Sequence, residues 1–344
     1  MRRLPIYFLV DVSESMVGTP IEQVQDGMRT IIQNLRTDPY ALETVFVSII
    51  AFAGKATVVS PLTELFKFYP PVFPIGGGTS LGKGLECLMD DIDRNIQKTT
   101  LEQKGDWKPI VFLFTDGNPT DDYAAAFRRW NEHYRSRCNL VAVSIGDNVN
   151  VLVLAQITEN VLLLKDTDAE SFKQFFKWVT ASIKTTSMSV SEQNTDEMKL
   201  PSTDGINLEK VDPREHPGTV DENFVVLHAR CQSTKREYLI KYSRNRGGME
   251  MPSEGEFGLV GAYPIDGETY ARLSAGNQVK INTMRMRGVP ACPCCGNQHG
   301  AVVCECGKIM CVGSSGRTTC PWCGMEGTLG YGDEGGMNID RGLG

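Results

Sequence analysis

The 344 residues carry 35 basic against 42 acidic side chains, a formal charge of −7, with 41% hydrophobic and 22% charged residues. That composition is typical of soluble globular proteins, and the length predicts two domains with connecting material. The acidic balance gives no electrostatic reason to expect a nucleic-acid or anionic-membrane partner, and no apolar run approaches the roughly 18 residues that a membrane span needs.

In chain order, Leu4–Val10 is an apolar run that stops at Asp11. It reads as a buried first strand rather than a signal peptide, because no small-residue cleavage site follows, and this predicts a cytoplasmic protein. Further strands are predicted at Thr44–Ala53, Ala56–Leu62, Pro109–Thr115, Asn139–Gly146 and Val161–Leu164, nearly continuous apolar segments suited to burial on both faces. Ile21, Val24, Met28, Ile31, Ile32 and Leu35 repeat at helical spacing after Thr19-Pro20-Ile21-Glu22, which reads as a capping box with proline at the first helical position. That helix should stop near Asp38-Pro39. A last helix carries Phe172, Phe175, Phe176, Val179 and Ile183 on one face, with Thr167 and Glu170 in capping register. With a hairpin near Gly54, this order predicts an α/β fold: a doubly wound, mostly parallel, Rossmann-like sheet with one antiparallel edge, over residues 1–187.

No aromatic residue occurs between Trp178 and Phe224, so 188–223 is predicted to be a linker. Strand patterns return at Phe224–Ala229, Glu237–Tyr242, Phe257–Tyr263 and Gln278–Thr283. They lead into a cysteine module, giving a C-terminal β-rich, zinc-ribbon-like domain over 224–324, and the glycine-rich 325–344 is expected to be a flexible tail.

Two constellations carry chemistry. The first strand ends in Asp11-Val12-Ser13-Glu14-Ser15, and the fourth runs into Thr115-Asp116-Gly117. Between them Gly76-Gly77-Gly78-Thr79-Ser80 offers a hydroxyl on a flexible loop. Strand carboxyl ends at a switch point are where open α/β sheets bind ligands. Two carboxylates and three hydroxyls, Asp11, Ser13, Ser15, Thr79 and Asp116, make an all-oxygen set suited to a hard cation such as Mg²⁺ or Mn²⁺, with coordination positions left open. Asp121 and Asp122 read as first-turn acids for the following helix. An alternative use of the same loop is a nucleotide-binding or metal-dependent hydrolase site, since Gly77–Gly84 nearly fits a phosphate-binding loop around Lys83. Its last position is Gly84 rather than Ser or Thr.

The second constellation is thiol chemistry. Eight of eleven cysteines fall between Cys292 and Cys323: Cys292-x-Cys294-Cys295, Cys304-x-Cys306, Cys311 and Cys320-x-x-Cys323. Cys292-Pro-Cys-Cys295-Gly and Cys320-Pro-Trp-Cys323-Gly are zinc-knuckle patterns, and a hairpin about Gly307 can lie between them. The natural first site is Cys292, Cys295, Cys320 and Cys323; Cys294, Cys304, Cys306 and Cys311, with His299 in reserve, provide for a second zinc. Cys87, Cys138 and Cys231 read as ordinary cysteines. All-thiolate zinc leaves no position for water, so its role is structural. His133, His216, His228 and His299 fall in no catalytic motif, and Asp90 and Asp91 read as a solvated helix face, so a binding protein is expected rather than an enzyme.

The D-x-S-x-S, T and D-G elements over about residues 4–186 resemble the metal-ion-dependent adhesion site of von Willebrand factor type A domains. That resemblance implies that Asp11, Ser13, Ser15, Thr79 and Asp116 hold the ion, some through water, and that an acidic side chain of a protein partner completes its coordination. Combined with the cysteine tail, the chain resembles the TerY type of tellurium-resistance protein with its C-terminal metal-binding domain. This implies a scaffold or substrate acting with a protein kinase and a PP2C-like phosphatase in a stress-resistance system.

Overall fold

The computed structural model describes residues 2–102, 104–116, 118–145, 151–164, 168–192, 198, 200–203, 208–210, 224–244, 257–274, 279–298, 300–312, 317–328 and 336–342. By their contacts the residues form two compact units, one of 1–12, 18–73 and 79–220, the other of 13–17, 74–78 and 221–344. No helix among the described residues is long and apolar enough to cross a membrane.

The first unit holds β1 (Leu4–Asp11), α1 (Thr19–Leu35), α2 (Pro39–Thr44), β2 (Val45–Phe52), β3 (Ala56–Glu64), α3 (Leu81–Asn95), β4 (Ile110–Thr115), α4 (Ala124–His133), β5 (Asn139–Ile145), α5 (Val151–Ala155), β6 (Asn160–Leu164), α6 (Ala169–Glu192) and β7 (Leu208–Lys210). One seven-stranded sheet runs β3-β2-β1-β4-β5-β6-β7, parallel at its centre and antiparallel at both edges. Successive side chains of a strand face opposite ways, so β1 divides its apolar residues between two cores. Tyr7 and Leu9 join Leu85, Leu88, Met89 and Trp130 from α3 and α4. Phe8 stacks on Phe112 at 5.7 Å, and Phe114 meets the Phe175 ring of α6 edge-on at 5.6 Å. Helices thus cover both faces, which is why these strands lack polar alternation.

The helix starts differ from the capping boxes read in the sequence. Helix α1 takes Gly18 as its N-cap at φ 86°, with no side-chain cap, and its first-turn amide of Glu22 bonds the Gly18 carbonyl. Backbone geometry replaces the threonine there. For α6, Thr167 lies outside the described residues; Asp168 does the capping, its carboxylate accepting from the amides of Glu170 and Ser171 and from the Ser171 hydroxyl. The expected linker is also shorter than its composition implied. Helix α6 continues to Glu192, and Leu208–Lys210 adds an edge strand to β6 that buries Leu208. A three-residue edge strand is held by main-chain bonds plus one apolar side chain, too little to mark a sequence pattern. Residues 198 and 200–203 carry no helix or strand, with the Trp178 indole donating to the Pro201 carbonyl at 3.1 Å, and the rest of that stretch lies outside the described residues.

The second unit contains β8 (Phe224–Arg230), β9 (Glu237–Ser243), β10 (Phe257–Pro264), α7 (Gly267–Leu273), β11 (Val279–Asn282), β12 (Met286–Arg287), β13 (Ala301–Val303), β14 (Ile309–Cys311), β15 (Arg317–Thr319), β16 (Glu326–Thr328) and β17 (Asn338–Arg341). Six of them form one sheet, β12-β10-β9-β8-β14-β13, so the strands after the linker and the cysteine hairpin share a single framework. The presumed flexible tail contributes β16, paired with β15, and β17, paired with β11 and burying Ile339.

One close approach in the first unit gives a direct test. Gly27 of α1 faces α6 so closely that a Cβ there would lie 1.9 Å from the Phe176 ring. Overpacking of this kind costs about 1–3 kcal/mol. Gly27→Ala should lower stability by that amount in chemical denaturation, whereas Ala at exposed Glu22, on the same helix, should be nearly neutral.

Candidate metal centres

The sheet order places the topological switch point at β1. The chain leaves β1 through α1 to β2 on one side, and later returns to β4 on the other. The parallel β1–β4 register pairs Val10 with Phe114, which puts Asp11 and Thr115 at the same level of the carboxyl edge. There the buried Thr115 hydroxyl donates to Asp11 Oδ2 at 2.6 Å. Asp116 follows, 8% exposed. In the same unit, the Thr79 amide donates to the Thr120 hydroxyl at 2.9 Å, and the Thr120 amide returns a bond to the Thr79 carbonyl at 2.7 Å. The loop is therefore fixed at its backbone while its hydroxyl stays unused. Thr79 Oγ1 is buried and has no hydrogen-bond partner among the described residues. A buried hydroxyl without a partner costs about 1–3 kcal/mol, so its retention fits a donor kept for a cation.

Ser13 and Ser15 belong to the second unit, where their hydroxyls lie 2.9 Å apart and both residues are buried. Ser13 is two residues from Asp11, which holds their Cα atoms within about 7 Å of each other by chain length alone. Gly117 lies outside the described residues. The oxygen chemistry of the set suits Mg²⁺ or Mn²⁺.

The loop's competing use as a phosphate cradle meets two obstacles. Lys83 Nζ donates to the Gly54 carbonyl at 2.9 Å. The Asp121 carboxylate accepts from the amides of Gly82 and Lys83, the first-turn donors of α3 that a phosphate would use. Burial raises the Asp121 pKa, against the lowering effect of those amides. The sequence reading had given Asp121 to the next helix; it serves α3 instead, and Asp122 accepts from Ala124 at the start of α4.

The thiols gather into two quartets: Cys231, Cys292, Cys295 and Cys311, and Cys304, Cys306, Cys320 and Cys323, each with its sulfurs within 4.8 Å of one another. Zinc–sulfur bonds of about 2.3 Å in tetrahedral geometry separate sulfurs by about 3.8 Å. The observed neighbours are at 3.9 Å for Cys295–Cys311, 3.8 Å for Cys231–Cys311, 3.8 Å for Cys304–Cys323 and 3.9 Å for Cys306–Cys320. All eleven cysteines are free of disulfides. Burial pushes the Cys231 thiol up, but hydrogen bonds from Thr234 and Cys295 outweigh it and bring the group down to about 6. Burial likewise opposes, and the amides of Cys323 and Trp322 overcome it at Cys320, which falls to about 7. Each shift favours the thiolate that zinc requires at one thiol of its quartet, whereas Cys295 and Cys311 in the first and Cys304 and Cys323 in the second are pushed up by burial and by hydrogen bonds among the clustered thiols.

This partition corrects the sequence reading. Cys292 and Cys295 do not share a site with Cys320 and Cys323, and Cys294, though within the first knuckle, is in neither quartet. Its place is taken by Cys231. The cause is the sheet: β14 runs parallel to β8 with Met310 opposite Arg230, so the next residues, Cys311 and Cys231, meet at the strand ends. Cys231 also heads a turn built like the two knuckles. In each, the amide of the first cysteine bonds the carbonyl five residues on, Asn297, Met325 or Arg236, and the amide four residues on bonds back to that cysteine. The fourth position has positive φ in all three: Gly296 at 72°, Gly324 at 77° and Lys235 at 59°. Thr234 stands where the knuckle's second cysteine would be, and Cys311 supplies the thiol it lacks. Absence of both the second cysteine and the glycine hid this turn in the sequence. His299, the reserve ligand, lies outside the described residues.

Comparison with known proteins agrees with the two-part organisation. The family description of the von Willebrand factor type A domain matches residues 6–178, and that of the TerY-C metal binding domain matches 221–344. The chain is similar to inter-alpha-trypsin inhibitor heavy chain H1 of Bos taurus, 23% identical over 151 residues, covering 42% of this chain and 16% of that protein. Heavy chain H6 of Homo sapiens is 21% identical over 159 residues, 44% of this chain and 12% of that one. The chain thus spans only a small part of these curated relatives. Among solved structures, a von Willebrand factor type A protein from Catenulispora acidiphila aligns with TM-score 0.41 and 15% identity over 79% of this chain and 68% of the other. Proximal thread matrix protein 1 of the mussel byssus aligns with TM-score 0.39 and 18% identity, covering 53% and 46%.

The shared turn geometry predicts opposite effects at equivalent positions. A Cβ at Gly324 would meet nothing within 4 Å, so Gly324→Ala should cost about 1–2 kcal/mol through backbone strain alone. Lys235→Gly removes that strain while loosening the unfolded chain, and should change stability by less than about 1 kcal/mol. Thermal denaturation of the zinc-loaded protein compares the two.

Proposed function

The chain belongs to the von Willebrand factor type A domain family, and from that premise we propose that it is a non-catalytic scaffold that binds a protein partner through a divalent cation. Asp11, Ser13, Ser15, Thr79 and Asp116 would hold Mg²⁺ or Mn²⁺. The bound ion supplies a hard, positively charged point with a free coordination position for a carboxylate. The chain's own contribution is preorganisation: Thr115 orients Asp11, and Thr120 fixes the loop that carries Thr79. The observation that carries this reading is the buried Thr79 hydroxyl, which has no hydrogen-bond partner among the described residues. Cys231, Cys292, Cys295 and Cys311 would bind one zinc, and Cys304, Cys306, Cys320 and Cys323 a second. These are closed thiolate sites that hold the C-terminal strands together rather than act on substrate.

The partners follow from the TerY resemblance. We propose a protein kinase and a PP2C-like phosphatase of a bacterial tellurite- or stress-resistance system, with an acidic side chain of one of them reaching the cation, and a cytoplasmic setting that keeps the thiols reduced.

Thr79→Val is the informative variant, since it exchanges an unpartnered hydroxyl for a methyl of the same shape. It should leave the metal-free protein as stable or stabilise it by about 1 kcal/mol, while weakening Mn²⁺ binding, measured by electron paramagnetic resonance, at least tenfold. A loss of metal-free stability with unchanged Mn²⁺ affinity would refute the assignment. For the thiols, metal analysis should count two zinc ions in the wild-type protein, about one in Cys231→Ser and two in Cys294→Ser.

A further inference from the structure

The segments 13–17 and 74–78 are part of the second unit, and the way that unit holds them is unusual. On β9, Leu239 and Lys241 share a face, since alternate residues of a strand do. That face is apolar, with Leu239, Val226, Tyr270 and Val17 buried together and Ile75 packed against them. Lys241 is only 5% exposed there. A buried ammonium is costly unless its protons find acceptors. Lys241 Nζ donates to the Ser15 carbonyl and lies 3.5 Å from the Val17 carbonyl, with the Phe224 ring 4.6 Å away.

The neighbouring residue of the same segment is held as firmly. Glu14, 1% exposed, accepts a hydrogen bond from the buried Tyr270 hydroxyl, and Gly342 approaches so closely that a Cβ there would overlap the Glu14 carboxylate. Gly342 is itself fixed by its amide bond to the Val226 carbonyl. On the second segment, the Gly77 amide donates to Ser274 Oγ at 2.8 Å, one residue before Gly78 and two before Thr79. Every anchor lies within two residues of a hydroxyl of the cation set, and every anchoring group lies between Phe224 and Gly342.

We infer that Lys241 and Tyr270 are positioning residues for the cation site: by fixing the backbone of Glu14–Val17 they aim the paired hydroxyls of Ser13 and Ser15. The inference deepens the proposed function and rests on it. Its chemistry is simple. Ser13 and Ser15 hydroxyls contribute to an ion only if their Cα–Cβ bonds point the right way. Sheet strand β9 is joined to β8, and β8 to β14, so the chain of main-chain bonds runs unbroken from the Cys231–Cys311 pair to Lys241. Loss of the first zinc quartet should therefore loosen the anchor.

The test is Mn²⁺ affinity of the full chain, read by electron paramagnetic resonance, with zinc content and thermal midpoint measured on the same samples. Lys241→Met keeps the length and apolar stem but removes the donor; Tyr270→Phe removes one hydroxyl. Each should raise the Mn²⁺ Kd about tenfold while two zinc ions remain bound, a coupling of the usual size between linked sites. Tyr242→Phe, on the same strand and losing its bond to the Gly288 carbonyl, is the packing control and should leave the Kd unchanged. Cys231→Ser should also weaken Mn²⁺ binding, by a comparable factor. If Asp11→Ala abolishes binding but Lys241→Met and Tyr270→Phe bind Mn²⁺ like wild type, the positioning role is wrong and the cation site stands. If wild type and Asp11→Ala bind Mn²⁺ alike, the cation-site reading itself has failed. Equal weakening in Tyr242→Phe would assign the effect to general destabilisation and overturn the inference.

Discussion

A polar or ionisable group removed from water must be given a partner, and the placement of nearly every chemically active side chain in this protein answers to that constraint. Asp11, buried at the end of the central strand, takes the Thr115 hydroxyl. Lys241, buried on an apolar strand face, takes main-chain carbonyls. The thiols of each quartet lie within 4.8 Å of one another, with neighbouring pairs at the 3.8–3.9 Å that a tetrahedral ion would need. At Thr79 Oγ1, one of several buried polar atoms without a partner among the described residues, the proposed function supplies one, while bonds to the Thr120 hydroxyl and from the Thr120 amide hold the residue's backbone in place.

Much of this was legible in the sequence, for a physical reason. Strands covered on both faces must be continuously apolar, so the six strands of the first fold could be read from composition, with ends within a residue or two of those observed. The placement of Asp11 and Asp116 at strand carboxyl ends could be read too, because a strand that stops in D-x-S-x-S or T-D-G has only one end at which to display them. The elements that escaped were those stabilised by main-chain bonds without side-chain pattern. Leu208–Lys210 buries one leucine, and β17 buries one isoleucine in a glycine-rich stretch. Caps were misplaced for a related reason: Gly18 starts a helix by its own backbone angle, and no donor or acceptor in its side chain announces it.

The thiol partition failed on a different count. Spacing along the chain pairs cysteines that are close in sequence, and for Cys292 with Cys295 and Cys320 with Cys323 that is sufficient, because a knuckle is local. Which knuckles share an ion is a question of sheet register. One parallel pairing, Ile309 with Ala229, brings a cysteine from the first β-hairpin of the unit to the cysteine hairpin. Nothing in a single sequence reports a parallel register. What could have been noticed is that Cys231-Gln-Ser-Thr-Lys-Arg directly follows one strand and precedes another, the setting of the Cys320 turn between β15 and β16.

Hard and soft donors are also kept apart, and their separation has a kinetic consequence. The thiolate quartets are closed, with no position left for an incoming group, and a four-sulfur site loses its metal slowly. On the proposed function the oxygen set, neutral hydroxyls with two carboxylates, would bind Mg²⁺ weakly, keep open positions and so exchange readily. A protein assembled this way has one metal chemistry that sets its shape and another that is available for recognition. The two have no ligand in common.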